Sequence, residues 1–343
     1  MKTDDPSAPL FFSMTYEFLQ IYLQKQCGRS PHTVESYRDA LSLFRRYIVE
    51  SLGISIAKFT FAECTRECVL GFMDYLAELK SAPSTRNQRL AALKSYFAFA
   101  ADKDITLQSN ELEVKRVPQC KVPKTEKTVI PEEAMAAILR QPPNTKMGLR
   151  DRTMMILLYD SAARLAEVLG LKLSDVAIDG ENHYIRVTGK GSKERIVPIS
   201  AKTSAHLSHY ISVYHTKDRP QTDLLFYTVI KGVTGMMSEG NVERFVREYA
   251  QRAQSFCPSV TNRVHPHMFR RTRATQLYQN GVGLPLVSRL LGHAYMETTR
   301  MYARPSLKML RDAIESVETT TVKAAKPIWE GDEAMMAKLS GLR

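Results

Sequence analysis

The sequence predicts a mostly α-helical protein with a small antiparallel β-sheet, divided into a helical N-terminal domain and a mixed α+β C-terminal domain. Three observations carry this. Apolar residues recur at helical spacing through the first 110 positions. The stretch VKRVPQCKVPKTEKT at 114–128 then breaks that periodicity with prolines and basic residues, as an extended linker does. Beyond it, ENHYIRVTGKGSKERIVPIS alternates apolar and polar residues on both sides of Gly189-Lys190-Gly191-Ser192, the pattern of strand, turn and strand.

In chain order, Phe11, Tyr16, Leu19 and Leu23 mark a first helix, ended by Cys27-Gly28-Arg29. Ser30 as N-cap and Pro31 at the first helical position start a second, to about Ser51, that buries Val34, Tyr37, Leu41 and Phe44. A third spans about Arg66 to Lys80. A fourth is expected to start at Ser84, capped by Ser84 or Thr85. After the linker, PEEAMAAILRQ opens with Pro131 and two glutamates, as a helix macrodipole favours. Residues 149–160 and 161–171 read as two apolar helices, and further helices are expected near 200–215, 238–254, 268–280, 284–291 and 296–315. The expected domains are 1–113, a linker 114–128, 129–325, and a tail helix within 326–343. In that tail Met335, Leu339 and Leu342 share a stripe and Trp329 precedes it.

Composition limits the function. There are 48 Lys and Arg against 36 Asp and Glu, a net charge of +12 that favours a polyanionic partner. No apolar run reaches the ~18 residues of a membrane span, and the N-terminus lacks the basic-then-apolar order of a signal peptide. Cys27, Cys64, Cys68, Cys120 and Cys257 are few, scattered and odd in number, which fits a reducing cytosol better than a disulfide framework. His206 and His209 have an HxxH spacing, yet no third zinc ligand is evident.

Several polar residues stand out from their surroundings. Arg164 and Glu167, in SAARLAEVLGL, can meet on one helical face, either as a structural pair or as an arginine held for an anion. His267 and Arg270, in VHPHMFRRTRATQLY, could grip a phosphate or form part of a basic surface. His293 follows the helix stop in LLGH, where capping is its ordinary use, and Tyr302 in TTRMYARPS would ordinarily be core. Lys190 sits at the hairpin tip, where a solvated turn lysine is the default. The motif GxxxxGK[ST] is absent and a strand follows, so nucleotide binding is rejected.

Taken in order, Arg164-x-x-Glu167, Lys190 in a β-turn, His267-x-x-Arg270, Leu-Gly-His293 and Tyr302 nine residues on resemble the tyrosine recombinase (phage integrase) family. The segments SPHTVESYRDAL and STRNQRLAALKSYFAFA resemble its SAM-like core-binding domain, and the likeness runs from about residue 11 to 315. Two departures are visible: Arg271 stands where the family often has histidine, and Ser161-Ala162-Ala163 precedes the first arginine in place of Thr-Gly-Leu.

The resemblance implies site-specific DNA strand cleavage and rejoining through a 3′-phosphotyrosine and a Holliday junction, with no metal, ATP or other cofactor. Arg164 and Arg270 would clamp the phosphate, Tyr302 would be the nucleophile, His267 its base and Lys190 the acid for the leaving 5′-oxygen. His293 would donate to the same phosphate, and Glu167 would hold Arg164 or His267 in register. It also implies a homo-tetramer on paired inverted sites in double-stranded DNA, with accessory proteins left open, and a cytoplasmic, nucleoid-associated protein. Since the core-binding pattern starts by about residue 11, no separate arm-binding domain is expected. Candidate DNA contacts are Arg29, His32, Arg38, Arg86, Arg89 and Lys94 in the first domain and Asn241 and Arg244 in the second. A relaxing enzyme of the type IB topoisomerase kind and an inactive DNA-binding relative are the alternatives.

Overall fold

The computed structural model describes residues 9–123, 128–189, 193–215, 220, 222–293, 295–303, 305, 307–317 and 331–341. The chain separates into two compact units, Met1–Glu126 and Lys127–Arg343.

The first unit is all helical. A 3-10 turn (Phe11–Met14) runs into wide π-type turns (Glu17–Gln26), followed by α1 (Pro31–Arg46), α2 (Arg66–Glu78), α3 (Pro83–Lys103) and α4 (Gln108–Lys115). Ser30 caps α1 as expected, accepting from the Thr33 amide with Pro31 at the first position. The core is aromatic. The Phe11 ring is buried with Phe44, Phe59, Phe61, Tyr96 and Phe97 around it, at centroid separations of 4.9–5.6 Å. The Tyr96 hydroxyl donates to the Phe11 carbonyl, so the N-terminal segment is tied down by its own backbone as well as its ring.

Three details differ from the sequence reading. Tyr16 is 73% exposed and Phe18 takes the inward place, because the π-type turns rotate successive residues by less than the assumed 100°. Helix α3 begins at Pro83, with Ala82 in the N-cap position, so Ser84 lies inside its first turn. Residues 114–120 are not an extended linker. Val114 and Val117 are buried in the first unit's core, and Lys94 Nζ donates to the Lys115 and Val117 carbonyls at 2.9 and 2.7 Å. Asn87 pairs with both backbone groups of Cys120, at 2.9 and 2.7 Å. Polar side chains of α3 thus satisfy backbone that looked solvated.

The second unit begins with α5 (Glu132–Leu139), α6 (Lys146–Ser161) and α7 (Leu165–Leu169), then an antiparallel sheet of β1 (Val176–Ala177), β2 (Tyr184–Thr188) and β3 (Glu194–Pro198) in that order. Strands β2 and β3 pair from Tyr184↔Pro198 to Thr188↔Glu194. After α8 (Ala201–Tyr214) comes a second hairpin, β4 (Tyr227–Ile230) and β5 (Val233–Met236), which the sequence reading missed. Its turn is Lys231-Gly232, both left-handed. Helices α9 (Glu239–Gln254), α10 (Pro266–Gln279), α11 (Leu284–Leu291), α12 (Glu297–Arg300), α13 (Leu307–Val317) and α14 (Glu333–Leu339) complete it. Met154, Leu158, Val187, Val197, Leu207 and Phe269 belong to one buried cluster that joins helices to sheet.

Two expected helices are broken. The stretch 161–171 helical throughout becomes a left-handed break at Ala162 followed by the short α7. The stretch 296–315 becomes α12, a turn and α13, with Pro305 between them removing a backbone donor. Both breaks place site residues. Among the described residues no helix is long and apolar enough to cross a membrane.

The aromatic core yields a contrast test. Phe11→Ala should destabilise the first unit by about 3–5 kcal/mol, whereas Tyr16→Ala should stay within about 0.5 kcal/mol, both read from urea unfolding of the full chain.

Candidate functional site: a buried arginine cluster around a tyrosine

Helix α6 ends at Ser161, whose hydroxyl donates to the Leu157 carbonyl and accepts from the Ala163 amide. Ala162 then turns left-handed at φ 50°, and Arg164 becomes the extended residue that starts α7 rather than a helix-interior residue. Glu167, three residues on, accepts from the Arg164 amide at 2.7 Å and from Arg164 Nη1 at 2.8 Å. The Arg164 side chain stays 42% exposed while that of Glu167 is 4% exposed. The carboxylate is the buried anchor and the guanidinium faces outward.

A second arginine completes the pair. Arg195, on β3, places Nη1 and Nη2 at 2.9 and 2.8 Å from the two oxygens of Glu167, a bidentate pairing, and its Nε donates to the Leu290 carbonyl at 2.9 Å. Burial pushes the Glu167 carboxyl up, but donation from Arg195 and Arg164 outweighs it and leaves the pKa at about 2. The sequence reading did not find Arg195. Its place is read from the fold: on β3 the inward phase carries Arg195 and Val197 while Ile196 is 60% exposed, so an arginine occupies a core-facing position.

Arg270 on α10 is 1% exposed. Its Nη1 donates to the Ala162 carbonyl at 2.6 Å, and its Nη2 to the Leu291 carbonyl at 2.7 Å and to His293 Nε2 at 3.2 Å. Its Nε is buried with no acceptor among the described residues. Burial, then the charge of Arg164, lowers its pKa to about 10, so it stays charged at neutral pH. A buried cation satisfied by neutral groups costs several kcal/mol and is an anion site in waiting.

His293 follows the left-handed Gly292 that ends α11. Arginine can only donate, so His293 Nε2 accepts from Arg270, and the ring proton lies on Nδ1, donating to Thr299 Oγ1 at 2.8 Å. Burial, with Arg270, Arg164, Arg195 and His267 adding positive charge, depresses its pKa to about 4. Tyr302 lies in the turn after α12, 2% exposed, packed with Ala162, Ala274, Val287 and Leu291. Its ring centroid is 6.0 Å from that of His293.

The fold therefore brings Arg164, Glu167, Arg270, His293 and Tyr302 together in one chain. His267, exposed near the start of α10, is close enough for its charge to act on His293. Lys190 lies outside the described residues. The base of its hairpin does belong to the cluster, since a Cβ on Gly189 would sit 3.5 Å from Glu167 Oε1.

The DNA-contact candidates fare unevenly. Arg29, His32 and Arg38 are exposed, while Arg86 is half-buried and Arg89 gives Nη1 to the Ser36 carbonyl at 2.9 Å. Lys94 Nζ is engaged on its own chain, donating to the Lys115 and Val117 carbonyls. Arg244 is exposed but engaged along its own helix, with Glu248 at 2.9 Å and Asn241 Oδ1 at 2.8 Å. Among the described residues no three metal-ligating side chains gather, at His206 and His209 or elsewhere.

The protonation states predict an acid response. Glu167 falls from 4.5 to about 2 on folding, so its contribution is whole above pH 4.5 and is lost as pH falls toward 2. His293 falls from 6.5 to about 4, so between those values the unfolded chain binds a proton that the native site refuses, and stability drops as pH falls. Replacing the imidazole in His293→Gln should remove the part of the loss between pH 6.5 and 4, measured by urea unfolding at pH 7 and pH 5. An unchanged loss would contradict the assignment.

The family relationships agree with this geometry. Residues 128–309 match the model of the phage integrase family, and residues 17–104 match that of the phage integrase N-terminal SAM-like domain. Tyrosine recombinase XerC of Myxococcus xanthus is 32% identical over 305 residues, covering 88% of this chain and 96% of the relative. A putative integrase/recombinase, y4rC, of Sinorhizobium fredii is 28% identical over 338 residues, 98% of both chains. Among solved structures, the fold is shared with the XerH site-specific recombinase in a post-cleavage complex with DNA (TM-score 0.66, 22% identity, 87% of this chain and 83% of that one). It is shared equally with the Tn1549 transposon integrase (TM-score 0.66, 14% identity, 91% and 100%). With more than half of its length matched by the family model and a relative at 32% identity over nearly all of both chains, this chain belongs to the phage integrase family of tyrosine recombinases.

Proposed function

We propose that this protein is a site-specific DNA recombinase in which Tyr302 cleaves a strand and the cluster of Arg164, Arg270, His267, His293 and Lys190 activates the phosphate. The observation that carries the reading is Arg270: a buried guanidinium with an N–H lacking an acceptor among the described residues, near enough to Tyr302 of its own chain for their charges to interact. A backbone phosphate supplies the missing negative charge.

The chemistry follows from the residue types. A phosphodiester repels nucleophiles through its charged oxygens, so Arg164 and Arg270 draw charge from the two non-bridging oxygens as it builds in the transition state. A phenol is a weak nucleophile at neutral pH, so the Tyr302 hydroxyl needs a base to take its proton. His267 takes its proton as the new P–O bond forms, giving a 3′-phosphotyrosine. Lys190 donates a proton to the departing 5′-oxygen. Attack by a 5′-hydroxyl of the partner duplex reverses each transfer, returns the proton to Tyr302 and leaves a four-way junction. No metal or nucleotide enters these steps, because the phosphotyrosyl bond retains the energy of the one broken. His293 enters as an acceptor toward Arg270. A phosphate beside it favours the protonated ring, which then donates. Glu167 touches no reacting atom and holds Arg164 in place.

The assembly we infer is a homo-tetramer on paired inverted sites, acting in integration, excision, transposition or dimer resolution, with or without accessory proteins. Both units supply DNA contacts, Arg29, His32, Arg38 and Arg86 from the first and Arg244 from the second. The C-terminal segment supports assembly. Leu307 and Ile314 on α13 are 84% and 64% exposed, and no residue of α14 is buried among the described residues. Isolated helices this short do not hold themselves, so we place the tail against a neighbouring protomer.

Two outcomes are expected. On a suicide substrate nicked near the cleavage point, the wild-type chain becomes covalently trapped, and Tyr302→Phe binds the same DNA without trapping. Undiminished trapping by that variant would assign the nucleophile elsewhere. Removing residues 326–343 should leave binding to a single site intact while abolishing the paired-site complex in gel-shift and recombination assays. A truncated chain that still recombines normally removes the tail from assembly.

A further inference from the structure

We infer that Arg195 is a positioning residue that locks three separately built parts of the site into one geometry. It rests on the recombinase reading above and adds a residue to it.

The guanidinium of Arg195 spreads its donors over two structural elements from a third. Two N–H groups hold both oxygens of Glu167 on α7, the carboxylate that in turn binds Arg164. The Nε–H holds the Leu290 carbonyl near the end of α11, two residues from the turn that presents His293. Arg195 itself stands on β3, the strand that returns from the Lys190 hairpin, one position past Glu194, which pairs with Thr188. A single side chain therefore spans the supports of Arg164, of His293 and of the hairpin. Its side chain is 14% exposed, against 42% for that of Arg164.

Packing adds an independent sign of this lock. Gly292 is left-handed at φ 63°, and a Cβ there would lie 2.9–3.1 Å from three atoms of the Arg195 side chain. The glycine before His293 thus leaves the room in which the Arg195 stem and head lie. Gly189, at the base of the hairpin, is likewise close, with a Cβ there 3.6 Å from Arg195 Nη1. Lysine could replace the charge of Arg195 but not its fork, because an ammonium cannot present two parallel donors to a carboxylate and a third to a carbonyl behind it.

The test separates geometry from charge and from folding. Arg195→Lys and Arg195→Gln are compared with wild type for DNA dissociation constant, for the single-turnover rate of covalent trapping on the nicked substrate at saturating DNA, and for the urea unfolding midpoint. Loss of registry should slow trapping by the folded protein about a hundredfold in both variants, with the dissociation constant changed less than about threefold. The charge-retaining lysine should give no rescue. Glu167→Gln combined with Arg195→Gln should be no slower than the worse single variant, since both break one linkage. Wild-type-like trapping by Arg195→Lys, or variants that lose only unfolding midpoint while the folded fraction reacts at the normal rate, overturns the inference. A second readout needs no reaction. By NMR the His293 imidazole should titrate at a different pH in Arg195→Lys than in wild type, although the net charge is the same. An unchanged titration also overturns the coupling. If wild type fails to trap, the recombinase reading fails instead, and the His293 titration still decides the role of Arg195.

Discussion

Like-charge repulsion is the constraint under which this site is built. Arg164, Arg195 and Arg270 converge on a small partly desolvated volume with His293 and His267 beside them, and Glu167 is the carboxylate hydrogen-bonded among them. Three guanidinium groups cannot shed their charge at neutral pH. The fold must hold them together by other means. Glu167 takes two of them on its two oxygens. Arg270 is pinned instead by carbonyl dipoles from Ala162 and Leu291. Breaking a buried pair of the Glu167 kind costs about 3–5 kcal/mol, so the site draws on the stability of the hydrophobic cluster beneath it.

Repulsion also sets the protonation pattern. His293 gives way because it alone among the inner groups can become neutral near physiological pH, and its neutral ring then serves as an acceptor for Arg270. The arrangement is preorganised for an anion: the cations are in place before a phosphate arrives, and little rearrangement remains to be made. A phosphate placed among these cations would offset their mutual repulsion. Binding and activation then become one electrostatic event.

Geometrically, the site is made of element ends. Arg164 stands where α6 stops and α7 starts, His293 follows the left-handed end of α11, and Tyr302 occupies the turn after α12. Chain ends of helices expose unpaired carbonyls, and two of those, at Ala162 and Leu291, are the groups that hold Arg270. The breaks are thus functional parts of the architecture. A continuous helix through 161–171 would have satisfied the Ala162 carbonyl internally and left Arg270 without that partner.

Much of this protein was legible in its sequence. Helical periodicity and cap residues such as Ser30 disclosed the all-helical first unit, and the alternation around Gly189 disclosed the central hairpin, because these are local rules with fixed periods. Arg164, Glu167, His267, Arg270, His293 and Tyr302 could be singled out by the resemblance of their order and spacing to a known family, and the fold gathers Arg164, Glu167, Arg270, His293 and Tyr302. Tertiary structure alone decided the rest. It turned Tyr16 outward, drew residues 114–120 onto α3, broke 161–171 and 296–315, and set Lys94 against two backbone carbonyls. It also brought Arg195 beside Glu167, 28 residues away in sequence. Such pairings depend on where distant backbone carbonyls and carboxylates come to rest after packing, and no local period encodes that.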